Sequence, residues 1–187
     1  MQTITRKGSF DSAHRVMNEK MKCFNLHGHT YLYELTFQFN STEEIGYAID
    51  FKEIKRVGCQ WIDDCLDHGT ILNPKDIDVI TACKATNSKL WLMSLNGEEN
   101  YCNPSAENIA KEIFIAVSLL LDTKELWLQS VRLWETPNCY TDCFAQSITA
   151  EEAAHFITCK GEQISNYKKD KGVVIYDDRL TSVTTTS

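Results

Sequence analysis

Residues 27–39 read His-Gly-His-Thr-Tyr-Leu-Tyr-Glu-Leu-Thr-Phe-Gln-Phe, and their alternation decides the fold. His27, His29, Tyr31, Tyr33, Leu35, Phe37 and Phe39 fall on one face by the period-two rule, while Thr30, Glu34, Thr36 and Gln38 fall on the other. This is a strand with one face turned to a core. Working outward, Thr3 to His14 mixes β-branched and aromatic residues and reads as a second strand, with Phe10, Ser12 and His14 on a shared face. Arg15 to Asn25 forms the loop between them. Two strands joined this way pair as a hairpin.

Beyond residue 39, Asp50 reads as a helix N-cap with Glu53 completing a capping-box pattern. Ile54, Val57, Trp61, Ile62 and Cys65 follow at helical spacing. A second helix starts behind Pro104 with Ser105 as N-cap and Glu107 in its first turn. Its stripe is Ile109, Ala110, Ile113, Val117, Leu120 and Leu121. Between the helices, the apolar run Leu90-Trp-Leu-Met and the Asn96-Gly97 turn signal suggest a short strand or hairpin. Leu126 to Thr136 alternates again, with Val131, Leu133 and Glu135 on one face, and a last strand is expected at Cys143–Thr149. The order ββ-α-(insert)-α-ββ predicts an α+β fold, an antiparallel sheet with two helices packed on one face. Residues 1–149 form the expected domain, with an insert at about 74–103. Residues 150–187 are an extension, expected to be partly ordered with a frayed Thr-Thr-Thr-Ser end.

Bulk properties narrow the function. A length of 187 residues suits one domain with a tail, and the net charge of −7 argues against a nucleic-acid surface. No stretch approaches the roughly 20 apolar residues of a membrane span, and the N-terminus lacks the apolar core of a signal peptide. A soluble, cytoplasmic protein is expected. In that setting the eight cysteines read as reduced thiols rather than a disulfide framework. Cys139 and Cys143 are four apart, but no second half of a metal site follows them.

Three of the five histidines crowd into sixteen residues: His14, His27 and His29. His27 and His29, two apart on a strand, point the same way with Cα atoms about 6.6 Å apart. Their imidazoles can converge on one metal, and His14 reaches it from the neighbouring strand. An open His₃ site suits zinc, with a fourth position left for water or substrate. Cys23, beside Lys22 and four residues before His27, has two readings. It is either a fourth ligand closing a structural site, or a nearby thiol of lowered pKa acting as base or nucleophile. Spacing leaves both open. Asp67-His68 is a carboxylate-oriented imidazole or a loop histidine, and Glu135 a pocket carboxylate or an edge glutamate. Taken singly, each reads as the second.

Together these pieces resemble one family over residues 3–149. Phe10-Asp-Ser-Ala-His14, Lys22-Cys23 with Leu26-His-Gly-His29, and Ile49-Asp-Phe51 are similar to its N-terminal half. Leu66-Asp-His68 with Leu72-Asn73, Pro104-Ser-Ala-Glu-Asn108 and Glu135-Thr136 are similar to the rest. The family is the 6-pyruvoyl-tetrahydropterin synthase / 6-carboxy-tetrahydropterin synthase group, which has the tunnelling fold. The resemblance implies catalytic zinc on His14, His27 and His29, Cys23 as the proton-abstracting base, and Asp67 with His68 as the partner relay. It implies that Glu135 anchors the pterin ring, helped by Ser105 and Glu107. It also implies trimers pairing into hexamers, with active sites between subunits and a small-molecule substrate. Only Phe24-Asn25-Leu26 separates Cys23 from His27, which resembles the bacterial 6-carboxy branch serving 7-deazaguanine (queuosine-type) synthesis. The implied reaction converts 7,8-dihydroneopterin triphosphate to 6-carboxy-5,6,7,8-tetrahydropterin with release of acetaldehyde and triphosphate. The alternatives are 6-pyruvoyl-tetrahydropterin formation and a non-catalytic, zinc-stabilised binding module with Cys23 as fourth ligand. Ser105 stands where threonine is commoner in the family, the insert is longer than usual, and residues beyond 149 fall outside the resemblance.

Overall fold

The computed structural model describes residues 2–173. Strand β1 (Gln2–Arg15) runs antiparallel to β2 (His27–Phe39) over its whole length, from Gln2 opposite Phe39 to His14 opposite His27. The unbroken alternation of both strands fixes this register, because a one-residue slip would turn every apolar side chain to the wrong face. On the far side of β2 lies β5 (Leu126–Thr136), antiparallel, and then β6 (Cys139–Phe144). These four strands are the antiparallel sheet that the sequence predicts.

Two short strands extend it differently. Strand β3 (Gly69–Leu72) pairs parallel to β1, and β4 (Leu90–Leu92) pairs parallel to β3, giving the order β4-β3-β1-β2-β5-β6 and a mixed sheet. Parallel neighbours need a crossover, and helices supply it here. The first is a continuous helical segment made of α1 (Phe51–Ile54), a π-helical turn (Lys55–Cys59) and α2 (Gln60–Leu66). Asp50 caps it by accepting the Lys52 N–H at 2.8 Å. Glu53 does not complete a capping box; it faces Arg56 instead. The second crossover is α3 (Ile77–Ala85), so the insert is a helix followed by a parallel edge strand and not a hairpin. Its buried residues are Ile80 and Cys83, too few to leave an apolar stripe in the sequence.

The last strand also lies earlier than expected, at Cys139–Phe144, followed by a 3-10 turn at Ala145–Ser147. Thr136 pairs with Cys139, so Pro137 and Asn138 turn the chain at once and the strand starts there. Helix α4 (Ala106–Leu121) begins at its expected cap, where the Ser105 hydroxyl accepts from Asn108 N–H. Phe10, Tyr31, Leu35, Phe37, Val131 and Leu133 of the sheet pack against Ile54, Trp61, Ile113 and Val117 of the helices in one core. The helices cover this face of the sheet.

Residues 150–170 form helix α5 (Ala150–Asp170), opened by a capping box in which Thr149 and Glu152 satisfy each other's backbone N–H. It runs alongside α4 in the same direction, since Glu152 pairs with Lys111 at 2.7 Å and Lys168 donates to the Leu119 carbonyl at 2.8 Å. Phe156, Ile164 and Lys168 are its buried residues. The frayed end expected at the C-terminus lies outside the described residues. Among those described, no helix is long and apolar enough to cross a membrane, and all eight cysteines are free thiols.

Candidate active site

The ends of β1 and β2 bring three imidazoles together under the start of α4. The nearest ring nitrogens of His14, His27 and His29 all lie within 4.8 Å of one another. Second contacts orient two of the rings. His14 Nδ1–H donates to the Pro104 carbonyl at 2.8 Å, and His27 Nδ1–H donates to the Asn25 carbonyl at 2.7 Å. Each bond leaves Nε2 as a bare lone pair, and the two Nε2 atoms face each other at 3.2 Å. Two acceptors that close repel unless a cation lies between them. Ligands held tetrahedrally at about 2.05 Å from one ion stand about 3.3 Å apart, so the spacing is that of a metal site. His29 Nε2 is buried without any hydrogen-bond partner, and His29 brings a ring nitrogen within 4.8 Å of the other two. Burial holds His14 and His29 below the ordinary imidazole value, in the neutral form that coordinates. The three residues therefore fit a divalent ion.

Among the described residues no fourth donor joins this group. Cys23 stands on a 3-10 turn (Lys22–Phe24) between β1 and β2, its carbonyl accepting from Val16 N–H at 2.8 Å. It is near the site without being in the donor set. Glu135 sits where the β5–β6 register shifts between Trp134 and Thr136, and such a bulge re-aims a side chain. Its carboxylate oxygen lies 3.6 Å from His14 Nε2. Ser105 follows the carbonyl that holds His14, and Glu107, in the first turn of α4, is exposed.

Asp67 and His68 lie elsewhere. Asp67 Oδ2 accepts from His68 Nδ1 at 2.5 Å, while its Oδ1 accepts the Asp11 N–H at 2.7 Å. His68 N–H donates to the Asp11 carbonyl, and His68 adopts a positive φ of 53°. Its side chain is 78% exposed. It opens with Asp11, Ala13, Gly28 and Thr30 onto a cavity of about 360 Å³, rimmed also by Ser12, His29 and Gly69. Asp11, Ala13, Gly28 and Thr30 belong to the sheet face opposite the side chains of the triad. Within one chain, then, the imidazole–carboxylate pair and the triad are not brought together. The hydrogen bond to Asp67 raises the His68 pKa. At Asp67, burial pushes the carboxyl up, but the bonds from Asp11 N–H and His68 outweigh it and leave the group below its ordinary range.

Sequence reading did not single out Tyr31, which packs against the histidine cluster. Its ring stacks on Phe10 at 4.9 Å and meets His29 edge-on at 5.6 Å, and its hydroxyl is buried without a partner. Burial first, then the charges of Glu135 and Cys23, push that hydroxyl well above the ordinary tyrosine value, so it stays a donor. Its place two residues past His29 on the same face was the available signal.

Residues 3–146 match the model of the 6-pyruvoyl tetrahydropterin synthase family. The chain belongs to that family. Its curated relatives include the 6-carboxy-5,6,7,8-tetrahydropterin synthases of Rickettsia bellii, 34% identical over 147 residues, and Rickettsia conorii, 37% identical over 149 residues. Each match covers 76% of this chain and 99% of the relative. Among solved structures, the 6-pyruvoyl tetrahydropterin synthase of Caenorhabditis elegans aligns with a TM-score of 0.55 at 21% identity, covering 77% of this chain and 95% of that one. An uncharacterised Wolinella succinogenes protein aligns at 0.62 and 17% identity, covering 77% and 98%. Those likenesses carry the family's tunnelling fold. Helix α5 lies beyond the stretch that the family model matches.

Proposed function

We propose that this member of the family is a zinc-dependent lyase acting on 7,8-dihydroneopterin triphosphate. With water, it would give 6-carboxy-5,6,7,8-tetrahydropterin, acetaldehyde and triphosphate, as an early step of 7-deazaguanine synthesis in the cytoplasm. The observation that carries the reading is the cluster of three imidazole nitrogens beside a carboxylate, with Cys23 outside the donor set. The Rickettsia relatives, named for the 6-carboxy product, support the choice of branch. Residues 1–149 are the catalytic unit and 150–187 an extension.

His14, His27 and His29 hold the ion through their ring nitrogens. Bound there, zinc supplies Lewis acidity toward the hydroxyls of the substrate side chain. Cys23 Sγ takes a proton from that side chain, and its absence from the donor set favours this role over that of a fourth ligand. His68 Nε2, its ring set by Asp67, moves a proton on the other side of the reacting carbons. Glu135 accepts from the pterin amino and ring N–H groups, a charge-assisted two-point anchor. Its closeness to His14 supports an anchored ring lying beside the ion. Ser105 and Glu107 at the start of α4 assist that anchor. His68 opens on the opposite sheet face, so a second subunit would complete each site, consistent with trimers or paired trimers.

Incubating the zinc-loaded protein with 7,8-dihydroneopterin triphosphate and weighing the pterin product tests this. A 6-carboxy product with acetaldehyde is expected. A 6-pyruvoyl product would keep the residue roles and overturn the branch. Zinc bound without turnover would overturn the enzyme reading in favour of a structural metal.

A further inference from the structure

The turn that carries Cys23 buries none of Lys22, Cys23 and Phe24, and within the loop its backbone is tied back by Val16 N–H on the Cys23 carbonyl. A catalytic thiol must nevertheless be held to within a fraction of an ångström. Arg15, the last residue of β1 and next to His14, makes three contacts that supply the hold. Its Nε–H donates to the Phe24 carbonyl at 2.8 Å, its guanidinium lies 4.2 Å from the centre of the Phe24 ring, and its Nη1 donates to Asp76 Oδ1 at 2.9 Å. Asp76 is 2% exposed, and its second oxygen is buried without a hydrogen-bond partner. Burying such a pair costs desolvation that apolar packing would avoid, so stability alone is a poor reason for it.

Asp76 belongs to the insert, at the N-terminal boundary of α3. The same segment grips the loop a second time. Asn103 Oδ1 accepts Met17 N–H at 3.0 Å and the Asn73 amide at 2.9 Å, while Tyr101 donates its hydroxyl to the Met17 carbonyl at 2.7 Å. Asn73 in turn accepts from Lys75 N–H and Cys102 N–H, tying both ends of the insert to one side chain. The 16–25 loop therefore rests on a polar cradle built by residues 73–103. Within it, Arg15 is the side chain that ties the Phe24 carbonyl, next to Cys23, to the insert, while the Val16 N–H bond to the Cys23 carbonyl stays inside the loop.

We propose that Arg15, fixed by Asp76, is a positioning residue for the Cys23 thiol, and that the insert serves as the abutment of this clamp. The proposal rests on the catalytic role given to Cys23 above. Arginine is required because one planar fork spans the Phe24 carbonyl and the Asp76 carboxylate while stacking on the ring. Lysine would keep the charge and reach one partner only.

The test uses the full-length, zinc-loaded protein with Arg15→Gln, Asp76→Asn, the double variant and Cys23→Ser. Readouts are kcat and KM for pterin turnover, zinc per chain, and the iodoacetamide alkylation rate of Cys23 relative to exposed Cys139, mapped by peptide mass. Each single variant is expected to lower kcat about 10- to 100-fold with KM held within about threefold. Zinc content stays that of the unaltered protein, and the Cys23-to-Cys139 alkylation ratio shifts about threefold or more. The double variant is no worse than the singles, because both remove one link. Unchanged kcat together with an unchanged alkylation ratio overturns the clamp. If Cys23→Ser turns over normally, the role of Cys23 falls instead, and the alkylation ratio alone decides whether Arg15 places the turn. Should Arg15→Gln fail to fold, Arg15→Lys replaces it; the same loss of kcat supports the fork, and full activity overturns it.

Discussion

Two ring nitrogens 3.2 Å apart, both facing inward as acceptors, repel until a proton or a metal ion sits between them. That pair, with the partnerless Nε2 of His29, makes each imidazole necessary. His29→Ala is expected to abolish stoichiometric zinc binding while leaving the sheet folded, measured by metal analysis beside circular dichroism. A second residue-scale expectation concerns pH. His68 is raised by its bond to Asp67, so the stability it gains is present below about 6.5 and lost as pH rises through its folded value. Asp67 is lowered, so its share is present above the ordinary carboxylate range and lost as pH falls through the folded value. The charged pair holds between those limits. Asp67→Asn should bring the His68 titration back toward about 6.5 in an NMR pH series; an unmoved titration would remove Asp67 as the cause. At this scale the sequence was readable where chemistry dictates spacing, as in the His-x-His pair on one strand face. Tyr31 was marked only by its place two residues past His29, and Asp76 was not readable, because a buried carboxylate shows its meaning only through what surrounds it.

At the scale of elements, legibility followed periodicity. Strands β1, β2 and β5 alternate over eleven or more residues, and their bounds emerge within a residue or two of expectation. Helix α4 carries a full apolar stripe behind a serine cap. By contrast α3 buries little, and β6 is a six-residue strand whose start is set by a tight turn. Neither leaves a periodic signal long enough to read. One contact between elements was equally hidden. Glu112, fully buried in α4, accepts from the Trp91 indole N–H at 2.6 Å and from the Ser94 N–H and hydroxyl. It joins α4 to strand β4 and the residues just after it. Glu112→Ala leaves those donors buried and unsatisfied, so a loss of about 2–4 kcal/mol is expected in urea unfolding, with zinc content unchanged. A change within about 0.5 kcal/mol would mean that the donors find other partners.

Across the whole molecule, β1 links two half-sites. At residue 14 it presents an imidazole that could hold a metal ion on the covered face, and at residue 11 its backbone holds Asp67 and His68 beside the open face. Meanwhile α5 lies along α4 on the helical side, so the added helix leaves that open face free. On the proposed function, a chain built this way gives its relay to one site and its metal to another. The sequence names the residues of both halves and cannot show that they point apart, since that depends on the sheet between them. Mixing decides it. His14→Ala and His68→Ala variants are each expected to be inactive as pure oligomers. Unfolded together and refolded at equal ratio, they should regain activity, because some interfaces would pair an intact triad with an intact His68. In a randomly mixed trimer such interfaces are about a quarter of the total, so recovery near 25% of the unaltered rate is the expected yield, following from statistical subunit exchange. No recovery in mixed oligomers verified by mass would place the whole site within one chain and require His68 to swing through the sheet edge to reach it.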